Sequence, residues 1–181
     1  SEDIAHGLAR VARWNGQTIG PHIFSVAQHS LLVEKIAATL DPSIGRVERL
    51  FMLLHDAPEY VIGDMISPFK AAIGEGYKSV ENRILAAILL RYALPATPTP
   101  AITQLAKRAD RMAAFFEAVA LAGFTRTEAE RIFGRPSIPA HLFEQELSPA
   151  SVEESQTKFL NRFHMIDQGV RQDPQRSEKA P

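Results

Sequence analysis

The chain has 181 residues, 45% of them hydrophobic and 23% charged, with a net charge of −1. That is the balance of one globular domain with room for a real core, and it excludes a protein that grips a nucleic-acid polymer by bulk positive charge. There is no cysteine, which excludes disulfides and thiolate metal sites; with no apolar run near 18 residues, the expectation is a soluble, cytoplasmic protein without membrane attachment.

Apolar spacing predicts helix almost everywhere. In segment 27–40, His29, Leu32, Val33, Ile36 and Leu40 share one face. Segment 44–57 carries the stripe Val47, Leu50, Phe51 and Leu54, and its run Phe51-Met52-Leu53-Leu54 is apolar all round, which predicts a buried helix. Asp41 and Ser43 are the expected caps between the two. Pro58 and Gly63 punctuate the next stretch, and Ser67-Pro68 reads as N-cap then first position of a short helix. Segment 76–93 is amphipathic, with Val80, Ile84, Leu85, Ile88 and Leu89 inward. Three prolines within residues 95–100 forbid a continuous helix there. Segment 101–122 is the clearest helix, its apolar positions stepping by three or four from Ile102 to Ala120. Segment 126–133 predicts a short helix ended by Gly134 and Pro136, and segment 149–166 a last one with Val152, Phe159, Leu160 and Phe163 inward. No strand pattern, internal repeat or domain linker is present. The expectation is a single all-α domain over residues 1–169, with 170–181 a disordered tail rich in charge, Gln and Pro.

Against this background a few polar residues stand out: His29, the pair His55-Asp56, Glu59, Asp64 and Asp110. Imidazole and carboxylate suit first-row transition metals. Two histidines and two aspartates on three helices can close around one divalent cation, which can turn water into hydroxide by lowering its pKa from about 15.7 towards roughly 7. That is hydrolase machinery. Each residue also has a plainer explanation. His29 on an apolar face fits a core histidine bonded to a backbone carbonyl, His55-Asp56 a helix-ending surface pair, and Asp110 a solvated acid paired with Arg111 or Lys107. The setting favours the ligand reading. A charged Asp56 at the end of a buried helix is costly unless paired or bound to metal, and a helix C-terminus favours a cation. Asp110 lies at the edge of its helix's apolar stripe, where Ala106 and Ala113 leave space for an ion and its water.

Glu59 follows His55 by four residues. If the helix continues through Pro58, its carboxylate lies one turn on, where a general base is useful. Asp64 sits in a turn after Gly63 and either serves that turn or faces the pocket. Arg13-Trp14 is the best phosphate hook with an aromatic wall, because a guanidinium offers bidentate donors; a surface Arg beside a core Trp explains the pair equally. Lys70, Lys78, Lys107 and Arg108 are alternative cations.

The order His29, His55-Asp56, Asp110 resembles the HD-domain superfamily of metal-dependent phosphohydrolases, over roughly residues 10–122. Gln28-His29-Ser30, the runs Leu53 to Glu59 and Gly63 to Lys70, Tyr77 to Glu81, and Lys107-Arg108-Ala109-Asp110 are similar to its bacterial 5′-deoxynucleotidase branch. An acid commonly precedes the first histidine there, where this chain has Gln28. The resemblance implies an HD-type helical bundle, usually homodimeric, with one divalent cation, cobalt, manganese or another first-row transition metal. It implies hydrolysis of (deoxy)nucleoside 5′-monophosphates, a small-molecule substrate rather than a nucleic-acid polymer. It further implies His29, His55, Asp56 and Asp110 as metal ligands, and Glu59, Arg13 and Asp64 as catalytic residues. Substrate contacts would fall to Arg13, Trp14, His29, Asp56, Asp64, Met65, Ile66, Ser67 and Asp110. No histidine falls between His55 and His141, which speaks for one metal rather than two. Two rivals stand beside this reading: a non-catalytic HD module that binds a nucleotide or partner, and an HD hydrolase of cyclic nucleotides or nucleoside triphosphates. Residues 123–148 match nothing recognisable.

Overall fold

A computed structural model describes residues 1–169 of the chain, apart from the side chains of Ser67 and Ala71; the expected tail at 170–181 lies outside the described residues. Among the described residues nine α-helices follow one another: α1 (Glu2–Leu8), α2 (Val26–Leu40), α3 (Arg46–Leu54), α4 (Glu59–Ile62), α5 (Ser67–Ile73), α6 (Glu75–Arg91), α7 (Pro100–Ala120), α8 (Arg126–Phe133) and α9 (Val152–Asp167). A short left-handed turn lies at Arg13–Gly16 and a 3₁₀ turn at Ala140–Phe143. The described residues contain no strand, only an isolated antiparallel bridge between Ala12 and Ser25. This is the expected all-helical single domain.

Helix α2 is the axis of the bundle. It packs on α7, α3, α9 and α1, and Val26, Ala27, Leu32, Val33, Ile36 and Ala37 are wholly buried along it. Lys35 and Thr39 keep a narrow solvent edge, but Gln28, His29 and Glu34 on its buried faces must find partners inside. Ser25 starts it by accepting from the Gln28 amide at 3.3 Å. Gln28, in the place of the expected acid, ties the helix to the 148–150 segment. Its amide donates to the Ser148 carbonyl at 2.8 Å, and its oxygen accepts from the Ala150 N–H at 3.4 Å.

Several sequence expectations shift. Helix α3 ends at Leu54 rather than 57, and a separate turn, α4, begins at Glu59. Pro58 has no N–H to give the Leu54 carbonyl, which accepts from the Ala57 N–H at 2.9 Å instead, so the α-helical ladder stops there. Gly45, not Asp41 or Ser43, precedes α3, its N–H donating to Glu48 at 3.0 Å; Asp41 closes α2 and accepts from Ser43. Ile66, one residue before Ser67, is the N-cap of α5. Two valines placed on apolar faces are outside, Val47 at 38% and Val80 at 47% exposure; a period names a face and not how far along it the packing reaches.

Candidate metal centre and its cleft

The apolar end of α3 is what fixes the first two site residues. Met52, Leu53 and Leu54 are buried, each stabilising the fold by about 1.5–3 kcal/mol, and His55 is the C-cap that follows them. The His55 Nδ1–H donates to the Met52 carbonyl at 2.8 Å. That bond turns Nε2 inward, towards α2. His29, on α2, is fully buried and its Nδ1 donates to Glu117 Oε1 at 2.5 Å. The two rings lie 5.4 Å apart.

Both Nε2 atoms are buried and neither has a hydrogen-bond partner. Carboxylates crowd them all the same. Asp110 Oδ1 is 3.2 Å from His29 Nε2, and Asp56 Oδ2 is 3.4 Å from His29 Nε2 and 3.3 Å from His55 Nε2. One ligand atom each from His29, His55 and Asp110 lies within 4.8 Å of the others. Ligands about 2.0–2.2 Å from one ion stand roughly 3.0–3.5 Å from their neighbours. Two orphaned imidazole nitrogens facing two carboxylates at that separation therefore fit a divalent cation, and hard oxygen with borderline nitrogen suits the first-row metals. The plainer reading of His29 does not hold, since it is bonded to a side chain rather than a carbonyl; Asp110, its side chain 45% exposed, keeps solvent access while Oδ1 faces His29.

The cluster lies at the base of an open cleft of about 500 Å³. Its lining combines the acids Asp56, Glu59, Asp64 and Asp110 with the side chains of Trp14, Ile132 and Phe133. Met65, Ile66, Pro68 and Lys70 close the side formed by the loop between α4 and α5 and the start of α5, so the chain brings Arg13, Trp14, Asp64, Met65 and Ile66 to one place. The side chain of Ser67 lies outside the described residues. Ala114, not the core-buried Ala106 and Ala113, supplies the small surface beside Asp110; a rotation of about 100° per residue carries position 114 further towards the cleft. Helix α8, within the stretch that matched nothing in the sequence, contributes Ile132 and Phe133.

Glu59 reaches the cleft from α4 rather than from an extension of α3. It is buried, with Oε1 accepting from Lys70 at 3.2 Å and Oε2 unpartnered. Burial, together with the negative charges of Asp56 and Asp64, pushes its carboxyl up to about 8, against the pull of Lys70 and Arg13. The two histidines go the other way from buried bases. Burial opposes their charge, yet Glu117, Asp110 and Asp56 around His29, and Asp56 beside His55, hold both above the ordinary histidine range.

Arg13 sits on a short tight turn. Trp14 and Asn15 take left-handed φ values of 56° and 51°, a conformation that costs a non-glycine residue of order 1 kcal/mol or more. The bridge to the start of α2 pins this turn from behind: the Arg13 N–H donates to Phe24 at 2.8 Å and the Val26 N–H to Val11 at 2.9 Å. The guanidinium meets Asp64 at 3.1 Å and Glu117 at 3.4 Å.

Glu117 is the residue that sequence reasoning missed. It lies on α7 seven residues, two turns, after Asp110, and is completely buried. Burial alone pushes a carboxyl upward, but His29 and Arg13 hold this one at about 2. A signal did exist: a lone acid amid the apolar run Ala113 to Val119 of the strongest helix.

The comparisons agree with this geometry. A family model for the HD domain matches residues 7–178. The chain belongs to the HD-domain family. An uncharacterized protein of Rhodobacter capsulatus is 58% identical to it over 135 residues, which cover 75% of this chain and 69% of that protein. Among the described residues of this HD-domain chain, no helix is long and apolar enough to cross a membrane.

Proposed function

We propose that this HD-domain protein is a metal-dependent phosphohydrolase that releases phosphate from (deoxy)nucleoside 5′-monophosphates. The observation that carries the reading is the pair of buried, unpartnered Nε2 atoms of His29 and His55, facing Asp56 and Asp110 at the base of a cleft that also holds Arg13. His29, His55, Asp56 and Asp110 would hold a divalent first-row cation, which would supply Lewis-acid charge to a phosphoryl oxygen and acidity to a water.

The chain's own residues do the rest. Glu59 takes a proton on Oε2, the oxygen that Lys70 leaves free. Burial and the neighbouring Asp64 carboxylate raise its proton affinity above that of an ordinary glutamate, as suits a proton acceptor. Arg13 turns its guanidinium to the phosphate, and burial strengthens that attraction. Asp64, Met65 and Ile66 flank the sugar position, and the side chain of Trp14 gives the base an apolar surface to lie against. The cleft is rich in acids, so a phosphate monoester gains entry only where a cation and Arg13 offset them.

The deciding experiment is a phosphate-release panel of nucleoside mono-, tri- and cyclic phosphates with added Mn²⁺ or Co²⁺. Monophosphates are expected to be hydrolysed best. Preference for a cyclic or triphosphate substrate would assign the other hydrolase class. Tight metal binding with no phosphate released from any of them would leave a non-catalytic binding module.

A further inference from the structure

We propose that Glu117 is a positioning residue that couples the Arg13-Trp14 turn to the cation site through His29. This rests on the metal reading of the same site. The two oxygens of Glu117 are divided between the two halves of the cleft. Oε1 takes the Nδ1–H of His29 at 2.5 Å, and Oε2 takes the Trp14 indole N–H at 2.9 Å and the Arg13 guanidinium at 3.4 Å.

The first contact fixes which nitrogen of His29 faces the site. With Nδ1–H committed to Glu117, Nε2 is the nitrogen that faces Asp56 and Asp110. A carboxylate behind a ligating imidazole sets ring orientation and raises its basicity, and losing one typically costs 10–100-fold in metal affinity. The second contact holds a strained turn. Trp14 and Asn15 keep left-handed backbone only where their surroundings over-determine it. The indole is fixed by Glu117 on its polar edge and by Phe124 and Phe133 on its rings, at 5.6 and 6.1 Å. Because both contacts use one rigid, buried carboxylate, a displacement of the turn is felt at His29, and the reverse.

The test uses the full chain and its single tryptophan, which sits at the junction. Wild type and Glu117→Gln are titrated with Mn²⁺ by calorimetry and their Trp14 emission is recorded. Glu117→Gln keeps the shape but gives up the carboxylate, and is expected to weaken Mn²⁺ about 10–100-fold and to red-shift Trp14 emission. A change in one readout without the other overturns the coupling, as does no change in either. Failure of the wild type to bind Mn²⁺ at all overturns the metal reading and this inference together, whereas normal wild-type binding with an unaltered variant overturns this inference alone. A measurement on the wild type needs no variant to fold. In the Zn²⁺-loaded protein, the ¹⁵N spectrum is expected to place the His29 proton on Nδ1, with that proton far downfield. A proton on Nε2 overturns the proposal.

Discussion

Two of the glutamates sealed in this bundle do opposite things. Glu34 on α2 is 1% exposed and Glu117 on α7 is 0% exposed. Glu34 is clamped by two arginines: Arg49 donates to Oε1 at 2.6 Å, and Arg162 donates to both oxygens at 2.8 and 3.0 Å. Those arginines come from α3 and α9, and both keep some access to solvent. Their charge is permanent, so the cluster has one state and serves to lock three helices in register. Glu117 is held by an imidazole, an indole and a more distant guanidinium. An imidazole can exchange its proton and can ligate a metal through its other nitrogen. A buried acid is therefore not itself a sign of chemistry; the partner's freedom to change state is.

The largest expected effect separates the two regions outright. Asp56→Ala removes a carboxylate that faces both Nε2 atoms, and is expected to lower cation affinity more than about 100-fold and to abolish phosphate release with it. Elemental analysis of protein purified without chelator, beside the activity assay, reads both. An Asp56→Ala protein that retains wild-type metal content and turnover would sink the site assignment. Glu34→Gln is the counterpart on the other side of α2. It leaves two arginines facing a neutral amide. The cost is expected to be about 2–3 kcal/mol, towards the low side for a broken buried pair because both arginines reach solvent. In a domain of this size that lowers Tm by roughly 5–10 °C. Mn²⁺ affinity of the folded Glu34→Gln protein is expected to match the wild type. A loss of affinity as large as that of Asp56→Ala would erase the distinction between a clamp and a site.

The same contrast explains what could be read from the chain before its fold. The helices were legible because burial on one face leaves a period: α7 and α8 lie within two residues of the expected segments. The candidate ligands are legible because polar residues at the ends or edges of apolar stripes break that period. Glu117 was invisible for a related reason. It replaces one apolar residue in a face that would otherwise read as core, and its partners come from 88 and more positions away. Gln28 and Glu34 are hidden in the same manner, satisfied by Ser148 and Arg162 far along the chain. Glu59 was placed in the cleft by spacing, but by the wrong route, since the sequence signals that Pro58 disturbs the helix and not in which direction the chain resumes. The contribution of α8 to the cleft follows from packing against α7, which no local pattern encodes.

Glu59 supplies the finest test of the rule, because it is a buried acid with a cation on one oxygen and none on the other. Without metal its carboxyl lies near 8, against an ordinary 4.5. Between those values the folded chain holds a proton that the unfolded chain has given up. Stability must then fall as pH rises through that window, by at most about 1.4 kcal/mol per pH unit for one proton, and level off above it. His29 and His55 add a slope of the same sign, because their raised values mean protons retained in the folded state and lost as pH climbs. The diagnostic is consequently the difference between the wild type and Glu59→Gln, which lacks the titrating group. Urea unfolding in chelator at pH 5, 6.5 and 8 is expected to show a shallower decline for Glu59→Gln, so that the variant gains on the wild type at each step upward. Parallel lines for the two proteins would place Glu59 among the clamped acids, with Lys70 as its permanent partner, and would remove the proton acceptor from the proposed hydrolysis.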